Sequence, residues 1–282
     1  ITIEKNTVQE TLIIPLYARK LGNELFPHIL LDPYADDVIR HLNYDFSTLD
    51  KKKGSFVWKF GALEGILRSK AILYEMQDYL SSHPDAAVVN MGCGLDQTPR
   101  LGDNGRMNLY NIDRKDIISI RNSLLPPIGR EINICLLYTS DAADADLNAD
   151  TWTQYIDVVQ GVFLFAAGVF MYLREKEVHQ LILRLKGAFP HGCLVFDTIG
   201  SFGIKVLMKR TLKTMGIHGI KGMFYCNNPL HDLRLDDDIK VSVRKYLTGY
   251  VDLKKEGISP LLREMAYLFD WVFRMNICQI TW

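Results

Sequence analysis

An apolar run that leads into two glycines and then a carboxylate constrains this chain more than any other feature. Residues 86–96 read AAVVNMGCGLD. An unbroken run of apolar and β-branched residues predicts a strand that is buried on both faces, as in a parallel sheet. Gly92 and Gly94 then predict a tight turn at which the backbone comes close to a ligand, because glycine adopts positive φ without steric cost.

A second apolar run, residues 107–112, ends at Asp113, which lies 19 residues after Gly94. A glycine turn after one strand and an acid after the next is the arrangement of a nucleotide-ribose site in a Rossmann-like sheet. Dinucleotide-binding turns have a third glycine, but Gln97 and Thr98 occupy its place. The pattern therefore favours a nucleoside cofactor without a pyrophosphate, and S-adenosylmethionine is the leading candidate.

Composition narrows the class of protein. The 282 residues include 33 basic and 33 acidic side chains, and this balance argues against nucleic acid or an anionic membrane surface as a partner. The five cysteines form no CxxC pair, which argues against a zinc site and a disulfide framework and indicates the cytoplasm. The longest apolar stretch, residues 158–173, is shorter than the roughly 20 residues of a membrane helix, so we expect a buried strand and a turn there.

The order of apolar and polar residues predicts a single domain with four parts. Alternation of strands and helices from residue 86 onward indicates an α/β protein with a parallel sheet covered by helices on both faces. We expect a helical cap (1–85), a cofactor-binding core (86–200), a lid insertion (200–235) and a part that completes the sheet (236–282). Within these parts we predict helices at 10–21, 35–42, 58–80 and 202–215, a polar loop at 45–54, and strands at 240–243, 246–251 and 277–282.

Several motifs in this order resemble the leucine carboxyl methyltransferase family, which includes O-methyltransferases that tailor polyketides. They are the glycine motif 89–96 followed by 100–101, the acidic motif 111–113, and the segments 168–173, 189–190 and 196–197. The resemblance implies a class I S-adenosylmethionine-dependent methyltransferase. Its fold is a Rossmann-like, mostly parallel sheet with an antiparallel C-terminal strand, a helical N-terminal cap and a lid insertion. The implied reaction transfers a methyl group to an oxygen, of a carboxylate or a hydroxyl, on a small-molecule or peptide acceptor.

The resemblance also implies roles for individual residues. Gly92 and Gly94 would let the backbone approach the methionine half of the cofactor. Asp113 would accept hydrogen bonds from both ribose hydroxyls, and Arg68 would pair with the cofactor carboxylate, for which a guanidinium is well suited. The other predicted cofactor-binding residues are Asn90, Cys93, Leu95, Ala166 and Gly168. The alternatives are a solvated helix N-cap for Asp113 and a solvated surface side chain for Arg68.

Four further residues are candidates for the acceptor pocket, namely Tyr172, Asp197, Phe224 and Tyr225. For each of them, ordinary packing or a structural buried acid is the alternative. No histidine lies in a motif that marks it as catalytic, and no metal site is expected. A carboxylate acceptor is ionised at neutral pH and needs no base, whereas a hydroxyl acceptor does.

Two departures from the family pattern leave other functions open. Ala167 stands where the family often has glutamate, which removes one polar contact to the cofactor. Residues 135–144 (CLLYTSDAAD) resemble the translation of a sequencing adapter, and we hypothesise that they replace or interrupt native sequence. Codons unlike the adapter would contradict this. A cofactor-binding protein without transferase activity is therefore one alternative, and a nicotinamide-dependent oxidoreductase with a degenerate glycine motif is another.

Overall fold

A computed structural model describes residues 1–3, 8–136, 151–158, 160–208 and 224–282. Its centre is a seven-stranded sheet in the order β3-β2-β1-β4-β5-β7-β6. The strands are β1 (Ala87–Met91), β2 (Asn108–Arg114), β3 (Glu131–Leu136), β4 (Val162–Ala166), β5 (Gly192–Thr198), β6 (Lys240–Lys245) and β7 (Asn276–Thr281). β1 to β5 pair in parallel, whereas β7 runs antiparallel to both β5 and β6. The predicted fold class, a mostly parallel sheet with an antiparallel C-terminal strand, is confirmed.

Helices precede the sheet and connect its strands. In chain order they are α1 (Ile13–Leu25), α2 (Pro33–His41), α3 (Ser47–Lys52), α4 (Phe56–Ser82), α5 (Thr98–Leu101), α6 (Lys115–Leu124), α7 (Glu175–Ala188), α8 (Ser201–Gly203), α9 (Pro229–Asp232) and α10 (Pro260–Val272). Short 3-10 helices lie at Val8–Leu12, Thr153–Tyr155 and Phe170–Tyr172, and a π-helix at Ile204–Met208. No described helix is both long enough and apolar enough to cross a bilayer.

The sheet separates two hydrophobic cores. Val88 belongs to the core on the side of α4, and Val89 belongs to the core on the side of α7. This division follows from the alternation of side chains along a strand, and it explains why β1 is apolar throughout and buried at every residue.

Helix α4 packs between the N-terminal helix α1 and the sheet. Ser55 caps its N-terminus, since the Ser55 hydroxyl accepts a hydrogen bond from the Trp58 N–H. Apolar residues lie on more than one face of α4 because α1 packs against it as well as the sheet. A Cβ on Gly22 of α1 would come within 2.2 Å of Ile66 Cγ1, so only glycine permits this close helix packing.

Two predictions about local structure are wrong. Residues 45–54, predicted as a polar loop, contain the helix α3. Residues 246–251, predicted as a strand, form turns instead. Their backbone N–H groups find partners outside any ladder, because the Asp270 carboxylate of α10 accepts hydrogen bonds from the N–H groups of Leu247 and Thr248. An apolar pattern alone does not show where the backbone hydrogen bonds go.

Some predictions fall partly outside the described residues. The structure describes the predicted helix 202–215 only as far as residue 208. It describes the predicted lid, 200–235, only on either side of residues 209–223. The division of the chain into four parts therefore stays a prediction. Of the adapter-like segment, Cys135 and Leu136 end β3, where they pair with Asp113 and Arg114, and residues 137–144 lie outside the described ranges.

Candidate functional site

The first glycine turn leaves the carboxyl end of β1. Gly92 and Gly94 have φ of 66° and 47°, in the left-handed region that glycine tolerates best. A Cβ on Gly92 would lie 2.6 Å from Val169 Cγ2, so this turn contacts the turn that follows β4. The N–H groups of Gly92 and Cys93 both donate to the Ile112 carbonyl of β2, which fixes the start of the turn.

Asp113 joins the end of β2 to this turn. One oxygen of its carboxylate accepts the Gly94 N–H at 2.8 Å, and the other accepts the Arg114 N–H at 2.8 Å. Helix α6 begins at Lys115 without a side-chain cap, so Asp113 does not cap it. Burial raises the pKa of Asp113, although the two N–H bonds oppose that shift. Each carboxylate oxygen retains a second lone pair for a ligand hydroxyl.

Two arginines hold the carbonyl groups of the same turn. Arg121 Nη1 donates to the carbonyls of Gly94 at 3.0 Å and Asp96 at 2.9 Å. Arg19 Nη2 donates to the intervening carbonyl, that of Leu95, at 2.8 Å. Both side chains are buried, so three successive carbonyls are fixed by charged donors shielded from water. We call Arg19 and Arg121 the arginine clamp.

Glu131 forms an ion pair with Arg121 of the arginine clamp. Its carboxylate accepts from Arg121 Nη2 at 3.2 Å, from Arg100 Nε at 2.8 Å and from the Asn111 amide at 2.6 Å. The side chains of Glu131, Arg100 and Arg121 are almost completely buried. A buried ion pair with further hydrogen bonds is rigid, and removal of one partner is costly.

The second turn follows β4 and centres on Gly168, whose φ is 69°. A Cβ on Gly168 would lie 2.6 Å from Arg68 Nη1, so the Arg68 guanidinium lies directly against this backbone. The Gly168 N–H donates to Asp197 Oδ1 of β5 at 2.6 Å. Across the described residues, Arg68 donates no hydrogen bond and forms no ion pair within 4 Å.

Other titratable groups interact with Arg68. Burial opposes the charge on Arg68, but Tyr246, Asp197 and Glu64 together raise its pKa above the usual range. Burial raises the pKa of Glu64 to about 6; Arg68 opposes that shift and Asp197 adds to it. Tyr172 is 38% exposed, and the partial loss of water around its phenol raises the pKa of that group, which also interacts with Arg68 and Asp197. These groups therefore interact electrostatically with Arg68, which itself lies against the turn at Gly168.

The remaining predicted residues have varied surroundings. Asn90 is buried and donates to the Asp96 carboxylate at 3.3 Å, while Ala166 ends β4 in full burial. Cys93 is buried, and burial raises the pKa of its thiol. Phe224 is 4% exposed and packs in the core on the side of α7, whereas Tyr225 is 50% exposed.

A cavity of about 280 Å³ opens near the carboxyl end of β5. Its wall combines a hydroxyl, an amide, a guanidinium and apolar side chains. The lining residues are Gly200, Ser201, Phe202, Asn227, Val272 and Arg274. Ligands of open α/β sheets bind at this edge of the sheet.

Sequence reasoning did not identify the arginine clamp, Glu131 or Glu64. A signal existed for Arg121, because it follows Ile117 and Ile118 on the buried face of α6 where an apolar residue is expected. A signal also existed for Glu64, which lies one helical turn before Arg68. Nothing local marks Arg19, since its partner Leu95 lies 76 residues away in the chain.

A model of the leucine carboxyl methyltransferase family matches residues 18–186. The chain belongs to this family. Two curated relatives are similar to it. The tetracenomycin polyketide synthesis O-methyltransferase TcmP of Streptomyces glaucescens is 26% identical over 70% of this chain and 68% of its own. The S-adenosyl-L-methionine-dependent methyltransferase dpfgK of Gibberella zeae is 29% identical over 76% of each chain.

Solved structures of low identity share the fold. A DUF574 family protein from Streptomyces avermitilis aligns with a TM-score of 0.58 at 10% identity, over 94% of this chain and 96% of its own. A putative methyltransferase from Thermobifida fusca aligns with a TM-score of 0.52 at 14% identity, over 94% and 93%. The family match confirms the predicted class, an S-adenosylmethionine-dependent O-methyltransferase.

The residues present fit this cofactor. S-Adenosylmethionine has an amino acid at one end and an adenosine at the other, and the two contacting turns offer groups for both. Arg68 is a guanidinium without an ion-pair partner within 4 Å in the described part of the chain, as a site for a carboxylate requires. Asp113 offers free lone pairs beside the Gly94 backbone.

Proposed function

We propose that this enzyme binds S-adenosylmethionine across the turns at Gly92–Gly94 and Gly168, and methylates an oxygen of a small-molecule or peptide acceptor. The observation that carries the proposal is the Arg68 guanidinium, which lies against Gly168 without an ion-pair partner within 4 Å among the described residues. Arg68 is partly buried, and a guanidinium that is partly withdrawn from water without an anionic partner favours a ligand of opposite charge.

The proposed roles follow from chemistry. Arg68 binds the cofactor carboxylate, and Asp113 accepts hydrogen bonds from the ribose hydroxyls. Asn90, Cys93, Leu95 and Ala166 provide the walls, because they occupy the strand ends and the turn between these two groups. The arginine clamp keeps the turn rigid, which reduces the conformational freedom lost on binding.

The cofactor supplies an electrophilic methyl group, and the protein orients the acceptor and excludes water. We propose the cavity near the carboxyl end of β5 as the acceptor site, and we keep Tyr172 and Asp197 as candidates on the acceptor side. The mixed polar and apolar wall of the cavity supports a small organic acceptor. The relative TcmP, named for tetracenomycin polyketide synthesis, supports the same class. We keep Phe224 and Tyr225 as further candidates on the acceptor side.

The test has two parts. Calorimetry with S-adenosylhomocysteine should show saturable binding to the wild type, weakened at least tenfold in Arg68→Ala. A methyl-transfer screen with labelled S-adenosylmethionine should then cover phenols, small carboxylic acids and peptides with free carboxyl termini. Transfer to any of them supports the proposal. Binding without transfer to any acceptor would favour a cofactor-binding protein, and binding of NADH in place of S-adenosylhomocysteine would favour an oxidoreductase.

We also propose that the protein is cytoplasmic. All five cysteines are free thiols, and four of them are buried. Unpaired cysteines are typical of a reducing compartment. Fractionation of cells that express the tagged full-length protein would test the location.

A further inference from the structure

Glu64 and Arg68 lie four residues apart on α4, so their side chains project from the same face of the helix. Arg68 reaches the turn at Gly168, where its Nη1 would be 2.6 Å from a Cβ on that glycine. Asp197 reaches the same turn from β5 and accepts the Gly168 N–H at 2.6 Å. Arg68 and Asp197 therefore meet at a single backbone turn, and Glu64 lies one helical turn before Arg68 on the same face of α4.

The two carboxylates differ in what they bind. One oxygen of Asp197 is engaged by the Gly168 N–H. Within the described ranges, Glu64 accepts no hydrogen bond and forms no ion pair within 4 Å. Glu64 and Arg68 are both partly exposed, so both retain access to the space beside the turn. A carboxylate that accepts no hydrogen bond from the protein keeps its lone pairs available for a ligand.

The charges match one part of the proposed ligand. The methionine half of the cofactor presents a carboxylate and an α-ammonium on the same carbon. Arg68 complements the carboxylate, and a carboxylate close to Arg68 would complement the ammonium. Ala167, next to the turn, has no polar side chain to offer. We propose that Glu64 binds the α-ammonium of the cofactor beside Arg68, and this assignment rests on the proposed cofactor site.

If Glu64 binds the ammonium, the affinity for the cofactor depends on pH. The titratable groups that interact with Glu64 are Arg68, Asp197 and Tyr246. Burial raises the pKa of Glu64 to about 6 in the unliganded protein. An ammonium ligand favours the ionised carboxylate, so binding below about pH 6 requires the loss of a proton. Affinity should then fall as the pH falls.

The experiment compares two ligands by calorimetry. S-Adenosylhomocysteine carries the amino-acid part, whereas 5′-methylthioadenosine carries the adenosine without it. For the wild type, we expect S-adenosylhomocysteine affinity to be about tenfold weaker at pH 5 than above pH 7, with a proton released on binding. The affinity for methylthioadenosine should lack this dependence. Its pH profile reports the adenosine contacts, including Asp113, separately.

The variant Glu64→Gln should bind S-adenosylhomocysteine roughly ten- to a hundredfold more weakly at pH 7.5, lose the pH dependence between 5 and 7, and bind methylthioadenosine as the wild type does. Asp78→Asn is the matched control, because it removes one negative charge from an exposed position of the same helix. It should leave both affinities unchanged.

The outcomes are distinguishable. Unchanged S-adenosylhomocysteine affinity in Glu64→Gln, or a pH dependence that persists in it, overturns the role of Glu64 and leaves the cofactor site standing. Failure of the wild type to bind either ligand overturns both. If Glu64→Gln does not fold, the measurements on the wild type still test the role of Glu64. An affinity for S-adenosylhomocysteine that does not change with pH, without proton release on binding, overturns the assignment.

Discussion

Arg19 and Arg121 reach one glycine turn from two different helices, and their guanidinium groups hold its successive carbonyls. Arg19 binds the carbonyl of Leu95, and Arg121 binds those of Gly94 and Asp96. With the carbonyls fixed in this way, the N–H group of Gly94 is held toward Asp113. The geometry proposed to bind the cofactor therefore depends on charged groups that need not touch it.

We expect Arg121→Lys to weaken S-adenosylhomocysteine binding about tenfold, because a lysine cannot bridge two carbonyls and a carboxylate in one plane. Arg100→Lys is the matched control, since Arg100 binds the same Glu131 but not the turn. Both variants should lower the melting temperature. Equal affinity losses in the two variants would contradict a specific role of Arg121 at the turn.

Replacement of Asp113 by alanine should weaken S-adenosylhomocysteine binding by about 1–3 kcal/mol, the scale of a lost charged hydrogen bond. Calorimetry at pH 7.5 measures the dissociation constant. Asp116→Ala removes a nearby carboxylate that pairs with Arg114 and should leave that constant unchanged. An unchanged dissociation constant in Asp113→Ala would count against the ribose contact.

Gly168→Ala should reduce both stability and cofactor affinity. The new Cβ would displace the Arg68 guanidinium, and a positive φ costs an L-residue about 1–2 kcal/mol. Gly187→Ala is the control, because Gly187 lies in α7 with nothing within 4 Å of an added Cβ. We expect that substitution to stabilise the protein by about 0.5–1 kcal/mol in chemical denaturation. Similar effects of the two substitutions would contradict the close contact at Gly168.

The stability of the unliganded protein should depend on Glu64 and pH. The pKa of Glu64 is about 6 in the folded protein against 4.5 ordinarily, so its ionisation destabilises the fold above pH 6. The cost disappears below about pH 4.5, where the carboxyl is protonated in both states. Glu64→Gln should therefore raise the free energy of unfolding by up to about 2 kcal/mol at pH 7.5 and leave it unchanged near pH 4.5. Urea denaturation at the two pH values measures the difference, and equal effects at both would contradict the raised pKa.

Local sequence patterns predicted the position in the fold of three residues of the proposed site. Gly92, Gly94 and Asp113 lie at strand ends, and an apolar run that stops at a glycine or an acid indicated where each strand ends. The prediction of a loop at 45–54 was wrong because a short helix such as α3 needs only a few residues and buries none of them. Residues 246–251 failed because Asp270 of a later helix redirects their backbone hydrogen bonds.

The contacts of the arginine clamp could not be predicted, even though the position of Arg121 in α6 indicated burial, because they join distant parts of the chain. Arg121 is 27 residues from Gly94, and Arg19 is 76 residues from Leu95. A charged residue in a helix usually faces solvent, and only the packing of α1 and α6 shows that these two do not.

The position of β7 between β5 and β6 has a consequence for synthesis on the ribosome. β5 ends at Thr198, but its neighbour β7 begins only at Asn276. β6 is synthesised between them, before the strand β7 with which it pairs. Translation adds about 5–20 residues per second, so the edge of β5 stays unpaired for roughly 4–16 s before β7 is synthesised. A nascent chain with an unpaired apolar edge is prone to aggregation, so chaperones have a defined interval in which to protect it.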